Sequence, residues 1–225
     1  MNRQRFTICL ILFGCGLLAC ADGPPAVCHV GPASETQLRV SRYARDLVPR
    51  RVLIVTGKNH QDRLPEQTMF AESLADHLRR SSFPVIVSRD CICEHHSPLR
   101  LGKFDEREVL RLAKQHQADT ILYAEVPSID GYAPMRVQGS VLMVNAGEAI
   151  SVLSVISTVD LKRISAKTHY LAFARQGQEA SFEETFLHEP ATLINFTARE
   201  VCRALMQTWT DSPETTTSGR RGTLR

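Results

Sequence analysis

Between residues 51 and 159 short apolar runs alternate with amphipathic ones, and that order leaves few folds open. Arg51-Val52-Leu53-Ile54-Val55-Thr56-Gly57 is a continuous apolar run ending in glycine, which reads as a buried strand. From Glu66 to Arg80 the apolar residues Phe70, Leu74 and Leu78 recur every four positions. Ala71 and Ala75 widen that stripe, while Glu72, Asp76, Arg79 and Arg80 face away. The spacing predicts an amphipathic helix, with Pro65 where proline is tolerated at a helix start. Pro84 to Ser88 reads as a second strand. Asp105 then precedes Glu108 by three, a start resembling a capping box, and Val109, Leu110, Leu112 and Ala113 form the apolar side of a helix running to about Gln117.

A third strand follows from Thr120 to Val126, and Asp130-Gly131 and Pro134 mark a connection. Val137 to Val144 and Ile150 to Val159 are both β-rich. Asn145-Ala146-Gly147-Glu148 between them reads as a hairpin turn, with Gly147 offering positive φ. Residues 162–176 add a strand around His169 to Phe173. Pro190 opens a last helix with Leu193, Ile194, Val201, Leu205 and Trp209 on its apolar side. The expected fold is α/β (α+β): one domain, a mixed sheet in βαβα-β-ββ order, helices packed on it, and a C-terminal helix.

The start of the chain says where such a domain works. Arg3 and Arg5 precede an apolar run from Phe6 to Phe13, and the run ends Leu17-Leu18-Ala19-Cys20. A positive head, a short apolar stretch and small residues at a cut site describe a secretory signal, and the run is too short for a permanent membrane span. The ending is similar to a bacterial lipobox: Leu17, Leu18 and Ala19 lead to Cys20, the residue to be lipidated. The resemblance implies that Cys20 carries a diacylglyceryl thioether and that cleavage before it exposes an amine that is acylated in turn, with chains such as palmitate. More than one chain matters, because a single acyl chain holds a protein only marginally. Ala21 follows Cys20 and Asp comes only at position 22, which suggests outer-membrane sorting with the domain facing the periplasm.

The expected organisation is a signal peptide at 1–19, a tether and lead-in at 20–50, an α/β domain at 51–210 and a disordered tail at 211–225. The tether, Ala21 to Thr36, is rich in Pro, Gly and Ala, and the tail in Ser, Thr and charge. Gln37 to Arg51 reads as an edge strand or a short helix. Removing residues 1–19 takes away Arg3 and Arg5 and no acid, leaving 25 basic against 24 acidic residues. So small a net charge, with few aromatics, gives no field or stacking surface for nucleic acid.

Seven cysteines are present. Cys9 and Cys15 leave with the signal and Cys20 is lipidated, so Cys28, Cys91, Cys93 and Cys202 remain. Cys202 falls in an apolar helical pattern and reads as a small buried hydrophobe. Cys91-x-Cys93-x-His95-His96 is the sharpest cluster. Thiolate and imidazole suit Zn or Cu, yet the group is compact rather than two separated knuckles. The oxidising envelope favours a disulfide from Cys28 to Cys91 or Cys93 instead of a metal. Such a bond closes about sixty residues and stabilises by about 4 kcal/mol in the chain-entropy model.

No G-x-S-x-G, H-E-x-x-H or P-loop occurs. Asp119 reads as an edge contact, Glu125 as a solvent-facing position, and His77 as a solvated histidine among charges. Asn195-Phe196-Thr197 matches a glycosylation sequon by accident of a helical stretch. No catalytic residue and no cofactor are expected.

The order of elements resembles an envelope group: the curli-secretion lipoprotein CsgG, the penicillin-binding-protein activator LpoB and the amino-terminal domain of TolB. Val52 to Val55 and Glu66 to Arg80 match the group's first strand and long helix. Ala118, Asp119 and Val126 match its Ala-Asp strand, with Ala124 standing where a glycine is usual. Asn145, Gly147 and Glu148 match its hairpin turn. The resemblance implies a non-enzymatic role: a lipid-anchored binding or assembly module acting through an envelope protein partner. An oligomeric secretion or transport component, working as a homo-oligomer, is the alternative, and an envelope enzyme with an unrecognised site a third.

Overall fold

The computed structural model describes residues 28–29, 33–42, 44, 49–56, 64–88, 104–176 and 183–210. Its strands are β1 (Cys28–His29), β2 (Glu35–Val40), β3 (Val52–Thr56), β4 (Val85–Val87), β5 (Thr120–Asp130), β6 (Arg136–Asn145) and β7 (Ile150–Asp160). Its helices are α1 (Leu64–Arg80), α2 (Glu106–His116), α3 (Ile164–Ala174), α4 (Glu183–Phe186) and α5 (Pro190–Thr210). The seven strands form one sheet in the order β1-β2-β7-β6-β5-β3-β4. β3 is parallel to both β4 and β5, and the other pairs are antiparallel. The expected α/β fold with a mixed sheet is therefore present.

Connectivity explains the layers. The chain moves outward from β3 to β4 through α1, then back across β3 to β5 through α2. Two right-handed crossovers in opposite directions put their helices on opposite faces of the sheet. The main core accordingly joins Ile54, Leu122, Val141 and Val155 to Phe70 and Leu74 of α1 and to Phe196 and Val201 of α5. A smaller core on the other face joins Leu53, Val55, Ile121 and Tyr123 to Val109 and Leu112 of α2. All five residues of β3 are buried, as a strand covered on both faces must be. At α2, Asp105 caps the start by accepting Arg107 N at 2.9 Å, and Gln117 ends it in the left-handed region at φ 52.

Two contacts set the spacing between sheet and helices. At Gly139 in β6, an added Cβ would lie 2.7 Å from Phe70 Cε2, 2.8 Å from Phe70 Cζ and 3.0 Å from Thr197 Cγ2. Both α1 and α5 thus rest where the strand has no side chain. In β5 the ladder shifts register between Glu125 and Ser128, around Pro127, which has no N–H to give. Gln67 of α1 covers the break. Its Oε1 accepts Val126 N at 2.8 Å and its Nε2 donates to Val126 O at 3.2 Å, a buried side chain standing in for a strand.

Several expectations change. The strand around His169 to Phe173 is helix α3. Ala166, Tyr170 and Ala174 recur every four residues and are buried, and Tyr170 Oη donates to Phe186 O at 2.6 Å. The segment read as tether and lead-in supplies β1 and β2, and Ala33, Ser34 and Thr36 are buried; β2 is paired on both sides rather than at an edge. In the β6–β7 turn the positive φ falls on Ala149, at 50, and not on Gly147. Gly147 N instead donates to Asn145 Oδ1 at 2.8 Å. Leu110, counted on the apolar side of α2, is 51% exposed. The tail 211–225 lies outside the described residues.

Cys202 is a free, buried thiol, as its helical pattern suggested, and burial pushes its pKa up to about 11. At pH 8 a thiol with that pKa is ionised to about one part in a thousand. Alkylation of the Cys202 peptide, followed by mass spectrometry, is expected to be slower by about a hundredfold or more in the native protein than in urea.

Candidate functional site

The residues with the most telling sequence signals, Leu17, Leu18, Ala19 and Cys20, lie outside the described residues. So do Cys91, Cys93, His95 and His96. Cys28 opens β1, where its backbone pairs with Leu38. Among the described residues no three His, Cys, Asp or Glu side chains gather as a metal ion requires.

The described surface does hold a concave feature at one end of the sheet. An open trough of about 690 Å³ runs between the C-terminal half of α2, the start of β5 and the β6–β7 turn. Pro49, Arg50, Leu110, Lys114, Asp119 and Asn145 are among its lining residues. The walls are built from caps and turns. Asp119 accepts Arg50 N at 2.9 Å and Arg51 N at 3.1 Å, so its carboxylate fixes the entry to β3. Arg51 donates to Gln117 Oε1 at 3.3 Å, and Ala146 N donates to Asp119 O at 2.9 Å. Arg50 and Lys114 outnumber the Asp119 carboxylate, which keeps its charge, so the lining is positive by one, and Leu110 offers an apolar contact. Such a surface suits an extended segment carrying an apolar residue and acidic neighbours. Asp119 was expected as an edge contact; it precedes β5, an inner strand between β6 and β3, and the trough around it was not expected.

Two other residues differ from their sequence reading. Glu125 is 7% exposed rather than solvent-facing. His77 sits half-buried between α1 and α5, with Nε2–H donating to Asn195 Oδ1 at 2.9 Å and Phe173 beyond it. Burial lowers its pKa below 6.5; the bond to Asn195 opposes this, and Arg80 and Arg199 reinforce it. The sign follows. Below pH 6.5 the unfolded chain binds a proton that the folded state resists, so stability is full above that value and falls as pH drops. A lower melting temperature is expected at about pH 5.5 than at about pH 7.5, with His77→Gln narrowing the difference in a thermal scan.

On α5, Glu200 is buried and pairs with Arg203 at 2.5 Å and Arg199 at 3.2 Å, while the Arg199 guanidinium lies 4.6 Å from the centres of both Phe173 and Phe196. This network ties α3 to α5. Its carboxylate is engaged by two guanidinium groups, which gives it a packing role.

No family model matches the chain. No curated protein matches it either. Among solved structures, the chain is similar to the PelC dodecamer from Paraburkholderia phytofirmans at 12% identity and a TM-score of 0.47, covering 76% of this chain and 96% of that one. It is similar to lipoprotein GNA1162 from Neisseria meningitidis at 14% identity and a TM-score of 0.36, covering 50% and 81%. The hypothetical protein CT253 from Chlamydia trachomatis gives 13% identity and a TM-score of 0.35, covering 70% and 94%. Scores and identities of this size assign the chain to no family, and the resemblance to the CsgG, LpoB and TolB group rests on the sequence pattern.

Proposed function

We infer that the chain is a lipid-anchored module of the bacterial outer membrane that faces the periplasm and works by binding a protein partner. The observation that carries this reading is the sequence Leu17-Leu18-Ala19-Cys20 behind Arg3, Arg5 and an apolar run. Anchoring confines the domain to a thin layer next to one membrane. A modest interaction then suffices, because the partner in that layer is met at high effective concentration. The trough beside α2 supplies a surface for it, positive at Arg50 and Lys114 and apolar at Leu110. In this reading the role is non-enzymatic.

The test is crosslinking in living cells, with a photoreactive side chain introduced at Leu110 and purification through the anchored protein. One defined envelope protein, recovered repeatedly and lost when Lys114 is changed to Glu, is the expected result. A product made only of a second copy of this chain would favour the oligomeric component instead. No product under several growth conditions counts against the trough and, with a surface-wide crosslinker, against partner binding as the role.

A further inference from the structure

The opposite end of the sheet, at the β5–β6 connection, holds two large apolar side chains out in solvent. Tyr132 is 88% exposed and Ile164 is 84% exposed. They belong to one end: Asp130 pairs with Arg136 across β5 and β6, and Arg136 pairs with Asp160 across β6 and β7. Tyr132 stands just beyond Asp130 and Ile164 shortly after Asp160, and Leu161 N donates to Met135 O at 3.0 Å, joining the two connections. Both are ordered. Asp130 Oδ1 accepts Tyr132 N at 3.2 Å, and Asp160 Oδ1 accepts Lys162 N at 2.9 Å. A scattered exposed apolar residue needs no explanation, but two at one end of a sheet do.

Their neighbours narrow the choice of partner. Arg136, Lys162, Arg163 and Lys167 are all exposed there. Of the acids at this end, Glu35 is paired with Arg163 at 2.6 Å, while Asp130 and Asp160 accept backbone N–H groups and keep their charge, so four basic groups stand against three acidic ones and the balance is positive by one. Aromatic and aliphatic side chains ringed by lysine and arginine describe a surface that settles into the headgroup layer of an anionic membrane.

Reach agrees. Through the register Cys28–Leu38–Val155–Val141, β1 lies level with Val141 of β6. From Cys28 to Arg136 is then about 17 Å along the strands, at about 3.3 Å per residue, and about 14 Å across three strand spacings, or about 22 Å in all. The chain from Cys20 to Cys28 can span up to about 28 Å. The membrane holding an acylated Cys20 is thus within range of this end without any change in the domain.

We propose that this end of the domain rests on the lipid surface, with Tyr132 and Ile164 in the headgroup layer and Lys162 and Lys167 against lipid phosphates. The proposal rests on the lipoprotein reading, which supplies the membrane it faces. It orients the molecule: the Tyr132 end lies down and the trough at the other end points away, toward partners.

The experiment reconstitutes the acylated protein into vesicles of phosphatidylethanolamine and phosphatidylglycerol whose acyl chains carry bromine. Tyr132→Trp and Glu148→Trp are compared, the parent with its native Trp209 serving as blank. Both positions are exposed, so neither substitution touches the core. Emission from Tyr132→Trp is expected to shift to the blue and to be quenched about twofold or more, and that from Glu148→Trp to be unaffected. Adding Lys162→Glu and Lys167→Glu should relieve the quenching. Equal, negligible quenching at both positions overturns the proposal, as does a blue shift at position 132 that appears only when envelope proteins are added. An unacylated Cys20 would instead overturn the lipoprotein reading. The same variants mixed with vesicles in bulk would then test the surface alone, unquenched Tyr132→Trp again counting against it.

Discussion

Gly139→Val is expected to lower stability by about 3–4 kcal/mol, just beyond the roughly 1–3 kcal/mol usual for overpacking a core, because two helices rest on this one position. The Cβ alone would stand 2.7 Å from the Phe70 ring and 3.0 Å from Thr197 Cγ2, and Phe70 is fully buried with no direction in which to retreat. Two helices rest on this one position, so both α1 and α5 must shift. At about 2–4 °C per kcal/mol for a domain of this size, the melting temperature should fall by roughly 6–16 °C. Gly139→Ala combined with Phe70→Leu separates contact from backbone. If the steric contact is the cause, the pair should be more stable than the two single losses add up to, by about 1 kcal/mol or more in a urea titration. Strict additivity would mean that Gly139 matters for another reason.

Gln67→Met comes next, at an expected loss of about 2–4 kcal/mol. The substitution keeps the volume and removes both hydrogen bonds, leaving Val126 N–H and C=O buried and without their partner. A buried backbone group stranded in this way costs about 1–3 kcal/mol. Hydrogen exchange should sharpen the result, with protection lost first around the bulge between Glu125 and Ser128. A loss under about 0.5 kcal/mol, the size usual for a surface substitution, would show that water or the strand itself satisfies Val126 in the variant.

Why some of this was legible from residue order, and some not, follows from range. The α1 stripe of Phe70, Leu74 and Leu78 and the apolar β3 run are local patterns, and local patterns decide where the elements fall. Gln67 was readable in part. It stands three residues before Phe70 on the same stripe, and a polar residue at a core position announces a buried hydrogen bond, though not its partner 59 residues away. Gly139 announces nothing about which side chains approach it, because that depends on the crossing of two helices from distant parts of the chain. Helix α3 was misread for a related reason. Arg163 makes no side-chain cap and the first turn carries no acid, so the β-prone Tyr170 and Phe173 outweighed the wider spacing of Ala166, Tyr170 and Ala174. That spacing wins in the fold because Tyr170 and Phe173 pack against Phe196 of α5. The trough escaped notice because its parts, Pro49, Leu110, Asp119 and Asn145, are far apart in the chain and individually ordinary.

The anchored, partner-binding role depends first on Cys20, and the intact mass of the amino-terminal peptide from membrane-extracted protein tests it most directly. The expected result is a mature chain that begins at Cys20 and carries a diacylglyceryl group and an amide-linked acyl chain. Cys20→Ala should then leave the precursor unprocessed and unacylated. A chain that still begins at Met1, or a Cys20 bearing no acyl group, would contradict the role.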